Sequence, residues 1–409
     1  MKPWGKTVWD YRPRVLTGFA KTSLYRAKRP YYEAEFDEFV KNEGIRTMVF
    51  FETWADAHSY ISTPPEKAEK LKSLIKAAQA RGVQALLYFG GFISGIAPEA
   101  DVMWDECLHL PEAGWDETQI LEQPKQKLKA VCYESVWQDL VADGIARAMD
   151  EYGIDGVYLD GVGDVGSCFN LYHGCGYVAQ DGSVRPTNHL LATRKLFERI
   201  YKIVKSRKPE GQIKLHQSGQ MVAPVLGFAT SYWDGEQFVG SKDRFLLDAL
   251  PLDTFRTEFM GRQWGVPAEM LQYRLPGTHH QQLGLFLLHD VTDEGDLPGN
   301  RKLWRLADEF GHGDAEWLPY WANSEFVTVL PEVGKVSLYR HQSNGVLIMV
   351  LNTGREEADV TVQLNMDIFE GLAKATAVDG ITGENMAVTG GGLSLKLKSL
   401  DWKLIWIKP

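Results

Sequence analysis

Asp160 closes the stretch Asp155-Gly156-Val157-Tyr158-Leu159-Asp160-Gly161, an almost wholly apolar run that ends in a carboxylate and a glycine. Two further acids, Asp234 and Glu236, follow the apolar run that ends at Tyr232-Trp233. Two carboxyl groups facing one bond are what cleavage of a glycosidic bond requires. One protonates the leaving oxygen, and the other attacks or activates water. Asp160 reads as the nucleophile or base, and Glu236 or Asp234 as the general acid. The acid needs a raised pKa to hold its proton near neutral pH. The structural alternatives are a turn-capping role for Asp160 and turn or salt-bridge roles for Asp234 and Glu236.

Around these acids the sequence gathers a polar and aromatic set: Lys21, Glu52, Trp54, Tyr88, His216, Gln217 and Trp233. Trp and Tyr offer flat apolar surface to a sugar ring and a polar edge to its hydroxyls, and the chain holds 13 Trp. His173 and Arg262 complete the expected substrate-binding set. Each has a plainer reading. Glu52 pairs with Lys21 across neighbouring strands, His216 is a supporting hydrogen-bonding residue, and the tryptophans are core or wall. Arg262 sits with Arg256 and Glu258 on a solvated ion-pair face.

A carboxylate is costly to bury without a partner or a task, so the elements that place Asp160 matter. Its run suits a parallel strand covered on both faces, where no alternation is needed, and the C-terminal end of such a strand is where α/β barrels assemble their chemistry. Other strands are expected at 14–20, 45–51, 83–89, 212–217, 228–232 and, more weakly, 267–275. Leu283 to Asp290 reads as an eighth strand or a helix. Helices are expected at 63–82, with Thr63 as N-cap and Glu66 completing a capping box, at 135–152 and at 187–205. The segments 92–133 and 161–186 read as long loops of the kind that carry function. Strands alternating with helices, with no phosphate-binding glycine fingerprint after the first, predict a (β/α)8 TIM barrel. Beyond residue 323 the texture changes to short strands at 326–330, 336–340, 346–351, 360–364, 393–397 and 402–407. That is an antiparallel β-sandwich. The expected domains are therefore a catalytic barrel over 1–322 and a β-sandwich over 323–409.

Asp-Gly-Val-Tyr-Leu-Asp-Gly after a helix, His216-Gln217-Ser218-Gly219 and Tyr232-Trp233-Asp234-Gly235-Glu236-Gln237 resemble glycoside hydrolase barrels. The chain is most similar to proteins with a glycoside hydrolase family 123 N-terminal-type domain, over most of its length. Its layout, an acid after strand four and another after strand six, is similar to the retaining α-galactosidase clan. That resemblance implies Asp160 as nucleophile and Asp234 or Glu236 as acid/base. Family 123 N-acetylgalactosaminidases use an adjacent Asp-Glu pair, whereas Asp150-Glu151 and Asp308-Glu309 fall on helices or loops here, so the resemblance does not extend to substrate-assisted cleavage.

With 409 residues the chain can bury a large core, and its net charge of -10 argues against a nucleic-acid partner. No apolar run spans a bilayer. Met1-Lys2-Pro3-Trp4 carries no signal-peptide core, so a cytoplasmic protein is expected unless a leader has been removed. The expected partner is a carbohydrate substrate, cleaved in exo fashion, and no cofactor is expected. Cys107, Cys132, Cys168 and Cys175 form no C-x-x-C pair. Cys168, His173 and Cys175 are close enough in sequence to bind a metal but lack a fourth ligand, so the expectation is no metal, with free thiols or one loop disulfide. Two rivals follow. One is a barrel that binds carbohydrate without hydrolysis. The other is a metal-dependent amidohydrolase, which requires a His-x-His near the first strand, whereas His279 and His280 are adjacent and late.

Overall fold

The structure, a computed structural model, describes residues 23–25, 31–41, 45–51, 54–58, 63, 65–117, 124–162, 166–218, 221–271, 275–294, 298–372 and 375–409. Lys21, Glu52 and the candidate strand 14–20 lie outside the described residues. The chain gathers into two compact units, whose described parts are Ser23–Trp233 and Asp234–Pro409.

The first unit is built on parallel strands β1 (Ser23–Tyr25), β2 (Thr47–Phe50), β3 (Gln84–Gly90), β4 (Gly156–Asp160), β5 (Gln212–His216) and β6, which starts at Ser231 and ends at Asp234. Their spatial order follows chain order, as right-handed βαβ crossovers require. Strand β4 lies between β3 and β5, with Gly90 opposite Asp160 and Gln212 opposite Gly156. Both of its faces are covered, which is why Val157, Tyr158 and Leu159 are all buried and no polar alternation appears. Gly156 is required by packing, since a Cβ there would stand 2.0 Å from the Gln212 carbonyl oxygen.

Helix α1 (Pro65–Gln79) buries Leu71, Ile75, Ala77 and Ala78. The expected capping box is not formed. The Thr63 hydroxyl is buried without a hydrogen-bond partner among the described residues, and the helix begins on the proline, whose missing N–H costs nothing there. Helix α2 (Trp137–Arg147) continues through a π turn to Tyr152 and feeds β4. Helix α3 (Leu190–Arg207) follows the second long segment.

The described residues of those long segments are folded. After β3, Phe92–Ser94, Gln126–Ala130 and Gly114–Glu117 form a three-stranded antiparallel sheet beside the helix Ala100–Cys107. After β4, two short ladders pair Val184–Arg185 with Tyr177–Val178 and Thr187–Asn188 with Ser167–Cys168.

The second unit carries the parallel pair β7 (Ala268–Leu271) and β8 (Thr292–Glu294). The ambiguous segment at 283–290 belongs mostly to helix α4 (His279–Leu288), capped by a Thr278–Gln281 box. Every residue from Gln282 to Leu288 is buried, so the helix is apolar all round and shows no helical stripe to read. Two sheets follow. Six strands run in the order 316–318, 334–341, 345–352, 402–408, 376–379 and 385–386, and three in the order 327–330, 358–364 and 392–397. Val336, Leu338, Ile348, Val350, Val360, Val362, Leu395 and Ile405 share the core of these sheets. This is a (β/α)8 TIM-barrel fold with a C-terminal antiparallel β-sandwich.

Candidate active site

The two aspartates of the opening motif stand at opposite ends of β4 and live in different chemistry. Asp155, just before the strand, is fully engaged. Its Oδ2 accepts from the Ala85 amide and Gln79 Nε2, both at 2.9 Å, and its Oδ1 from Lys208 Nζ at 2.6 Å. That is a structural clamp on the N-terminal face, where conserving fold is the usual task.

Asp160, at the C-terminal end, is held more openly. Tyr88 Oη–H donates to Oδ2 at 2.7 Å, and His216 Nδ1 lies 2.8 Å from Oδ1. Each carboxylate oxygen thus has one donor and a lone pair to spare, and the side chain is 29% exposed. Burial works against its charge, but His216 and Tyr88, with His58 beyond them, outweigh it and hold the carboxyl below the ordinary aspartate range. His216 is itself oriented, with Nε2 2.8 Å from Ser218 Oγ and Tyr158 Oη 2.9 Å from Nδ1. A carboxylate kept ionised, fixed in direction and partly open is equipped to attack an electrophilic carbon or to activate water.

The end of β3 comes close to this group. The Gly91 amide donates to the Asp160 carbonyl at 3.0 Å, and a Cβ on Gly91 would meet Tyr133 Oη at 2.4 Å and the Gly161 carbonyl at 2.8 Å. The absence of a side chain at Gly91 therefore lets the two strand ends meet.

The sequence-derived set divides as follows. Tyr88 and His216 each meet the Asp160 carboxylate directly. Trp54 is 6% exposed and donates its Nε1–H to the Tyr88 carbonyl at 2.9 Å. Gln217 is buried, and its amide donates to the Trp233 carbonyl at 2.8 Å. Trp233 is fully buried, with its ring 4.3 Å from that of Tyr158 and Lys214 Nζ 5.1 Å from its centroid. His173 lies among cysteines, its Nε2 3.5 Å from Cys168 Sγ.

In the second unit, Asp234 is 3% exposed, and its Oδ1 accepts from the Gly235 amide at 2.7 Å and Gln237 Nε2 at 2.8 Å. Glu236 is exposed on a short 3-10 turn. The strand runs three residues beyond the start expected for it and includes Asp234 as its last residue. Arg262 pairs with buried Asp290, which also accepts from Tyr339 Oη at 3.1 Å and faces His312 Nε2 at 3.1 Å.

Tyr158 and Ser218 were not singled out from sequence. Tyr158 stands two residues before Asp160 on the same strand face, so period-two spacing was the signal that could have found it. The fourth member of the cysteine cluster, Cys132, is remote in sequence and gave no local signal.

No family model and no curated protein matches the chain. Solved structures do. An α-amylase from Anoxybacillus is 11% identical, with a TM-score of 0.59 over 96% of this chain and 98% of that one. A GH27 β-L-arabinopyranosidase from Geobacillus stearothermophilus is 12% identical, with a TM-score of 0.58 over 98% of each chain. A maltogenic α-amylase from Thermotoga neapolitana is 13% identical, with a TM-score of 0.56 over 96% of this chain and 99% of that one. At these identities the likeness is one of fold, and it runs through the barrel and the β-domain alike.

Proposed function

We propose that this chain is a glycoside hydrolase that uses Asp160 as its nucleophile and Glu236 or Asp234 as its general acid. The observation that carries the reading is Asp160 itself. It is an ionised, half-open carboxylate at the C-terminal end of the fourth parallel strand, with one donor on each oxygen. Its fold neighbours are named for cleaving glycosides, and the strand-four position matches the layout of the retaining α-galactosidase clan. The resemblance to family 123 N-terminal-type domains rests on the same strand-end motifs.

Asp234 accepts from the Gly235 amide and Gln237 Nε2, and Glu236 follows two residues later on the same turn; the variants below decide which of the two supplies the proton. His216 and Tyr88 position the nucleophile, while Trp54, Gln217 and Trp233 build its wall. The folded insertions after β3 and β4 support a narrow entrance and exo-type cleavage of an oligosaccharide or glycan. We assign catalysis to residues 1–322 and a supporting role to the sandwich at 323–409.

The test is leaving-group dependence. Aryl glycosides with acidic phenols need no proton from the enzyme, whereas alkyl glycosides do. The variant of the acid, Glu236→Gln or Asp234→Asn, is expected to lose about 10²–10⁴-fold in kcat/KM on alkyl glycosides and little in kcat/KM on dinitrophenyl glycosides, with azide restoring kcat on the latter. The variant that shows this pattern identifies the acid. Neither variant showing it would remove both residues from the reaction.

A further inference from the structure

The fold assembles a cluster that the glycosidase reading does not use. We propose that Cys132, Cys168, His173 and Cys175 bind one zinc ion as a closed structural site that ties the insertion after β3 to the one after β4. Sequence supplied three of these ligands and no fourth. The structure brings Cys132 in from the segment between the strand Gln126–Ala130 and helix α2, and all four ligand atoms lie within 4.8 Å of one another.

Two of the six separations match the edges of a tetrahedron. With Zn–S near 2.3 Å and Zn–N near 2.05 Å, tetrahedral edges are about 3.8 Å for S···S and about 3.6 Å for S···N. Cys132 Sγ and Cys175 Sγ are 3.7 Å apart, and Cys168 Sγ and His173 Nε2 are 3.5 Å apart. The Cys132–Cys175 separation is far from a disulfide, whose sulfurs sit at roughly 2.05 Å, and all four cysteines of the chain are free thiols.

The surroundings are polarised toward the cluster. His173 Nδ1 lies 2.5 Å from the Glu106 carbonyl, so its proton is fixed there and the Nε2 lone pair faces the sulfurs, the usual arrangement behind a metal-bound imidazole. The amides of Leu110 and Asn170 both donate to Cys168 Sγ at 3.4 Å. Such donors stabilise a thiolate. Three buried cysteines alone would pass as small apolar core residues, but apolar packing gives no reason to aim an imidazole nitrogen and two amides at sulfur. A left-handed turn at Gly174 (φ 81°) separates His173 from Cys175 and lets both side chains return to one point.

A three-sulfur, one-nitrogen tetrahedral set favours zinc among divalent ions. Four protein ligands leave no position for water or substrate, so the ion would be structural. On binding, the thiols coordinate as thiolates and release their protons to solvent, while His173 stays neutral.

The experiment uses the full chain expressed with added zinc, purified without chelator and dialysed, with metals measured by plasma mass spectrometry. About one zinc per chain is expected in the wild type and in Cys107→Ser, whose thiol lies outside the cluster. Less than roughly a tenth of that is expected in His173→Ala and Cys168→Ser. If those variants do not fold, the wild type still decides the matter. Mercurial titration of its thiols should release the zinc, cobalt exchanged into the site should show the visible bands of tetrahedral thiolate, and chelation should lower Tm by on the order of 10 °C. Wild type free of zinc, a Cys132–Cys175 disulfide in the intact mass, iron in place of zinc, or full zinc retention in folded His173→Ala would each overturn the proposal.

Discussion

Asp160 keeps its charge because two donors meet it at the strand end, and this makes its chemistry sensitive to pH in a direction that can be stated. Tyr88 and His216 favour the carboxylate form, so with Asp160 as the nucleophile the acid limb of kcat/KM is expected below the ordinary aspartate range. Tyr88→Phe removes one of those donors and should move that limb to higher pH, as read from the pH profile on an aryl glycoside. An unmoved limb would mean that Asp160 does not set it. The same shift feeds stability. Because the folded pKa is depressed, the contribution is present above the unfolded aspartate value of about 3.9 and disappears as pH falls through the folded one. Asp160, Tyr88 and His216 were legible in the sequence because each ends or nearly ends an apolar run. The Cys132 contribution to the metal cluster was not, since only tertiary folding brings two insertions together.

At the scale of elements, the clearest constraint is the packing of β4 against β5. Gly156 leaves no room for a side chain, with the Gln212 backbone at 2.0, 2.7 and 2.8 Å from any Cβ. Gly156→Ala should therefore cost more than about 3 kcal/mol in denaturant unfolding or abolish soluble expression. An unchanged midpoint would contradict the strand pairing. Most strands were readable as apolar runs ending in glycine or a polar residue. The departures have physical causes. Helix α4 is buried all round from Gln282 to Leu288 and so lacks a stripe, and the run at 228–232 includes Phe228 and Ala229, which close the short helix Ala223–Leu226 that precedes β6. The segments 92–133 and 161–186 read as loops because their strands are two to five residues long, too short to show a period.

At the scale of the molecule, the two units rest on different supports. The first is organised on its parallel strands. The second holds a buried polar centre in which Asp290 is met by Arg262, His312 and Tyr339. Burial opposes the Asp290 charge, but Arg262 and His312 outweigh it, so its pKa is lowered and its contribution to stability is lost as pH falls through that depressed value. Asp290→Asn leaves the partly exposed Arg262 beside a neutral partner and should cost on the order of 1–3 kcal/mol, seen as a lower Tm at pH 7 that converges on wild type in acid. A Tm equal to wild type at pH 7 would show the centre to be dispensable. The (β/α)8 fold and the following sandwich were both readable, because a switch from strand–helix alternation to short strands at regular spacing survives in a single sequence.

The measurement that bears most directly on the proposed activity is turnover by wild type and Asp160→Asn across a panel of aryl glycosides. Release of phenol from at least one member by wild type is expected, with a loss of at least about 10³-fold in the variant at an unchanged Tm. Equal rates in the two proteins would exclude Asp160 from the chemistry, and glycan binding without turnover by wild type would make the chain a binding protein on a hydrolase fold.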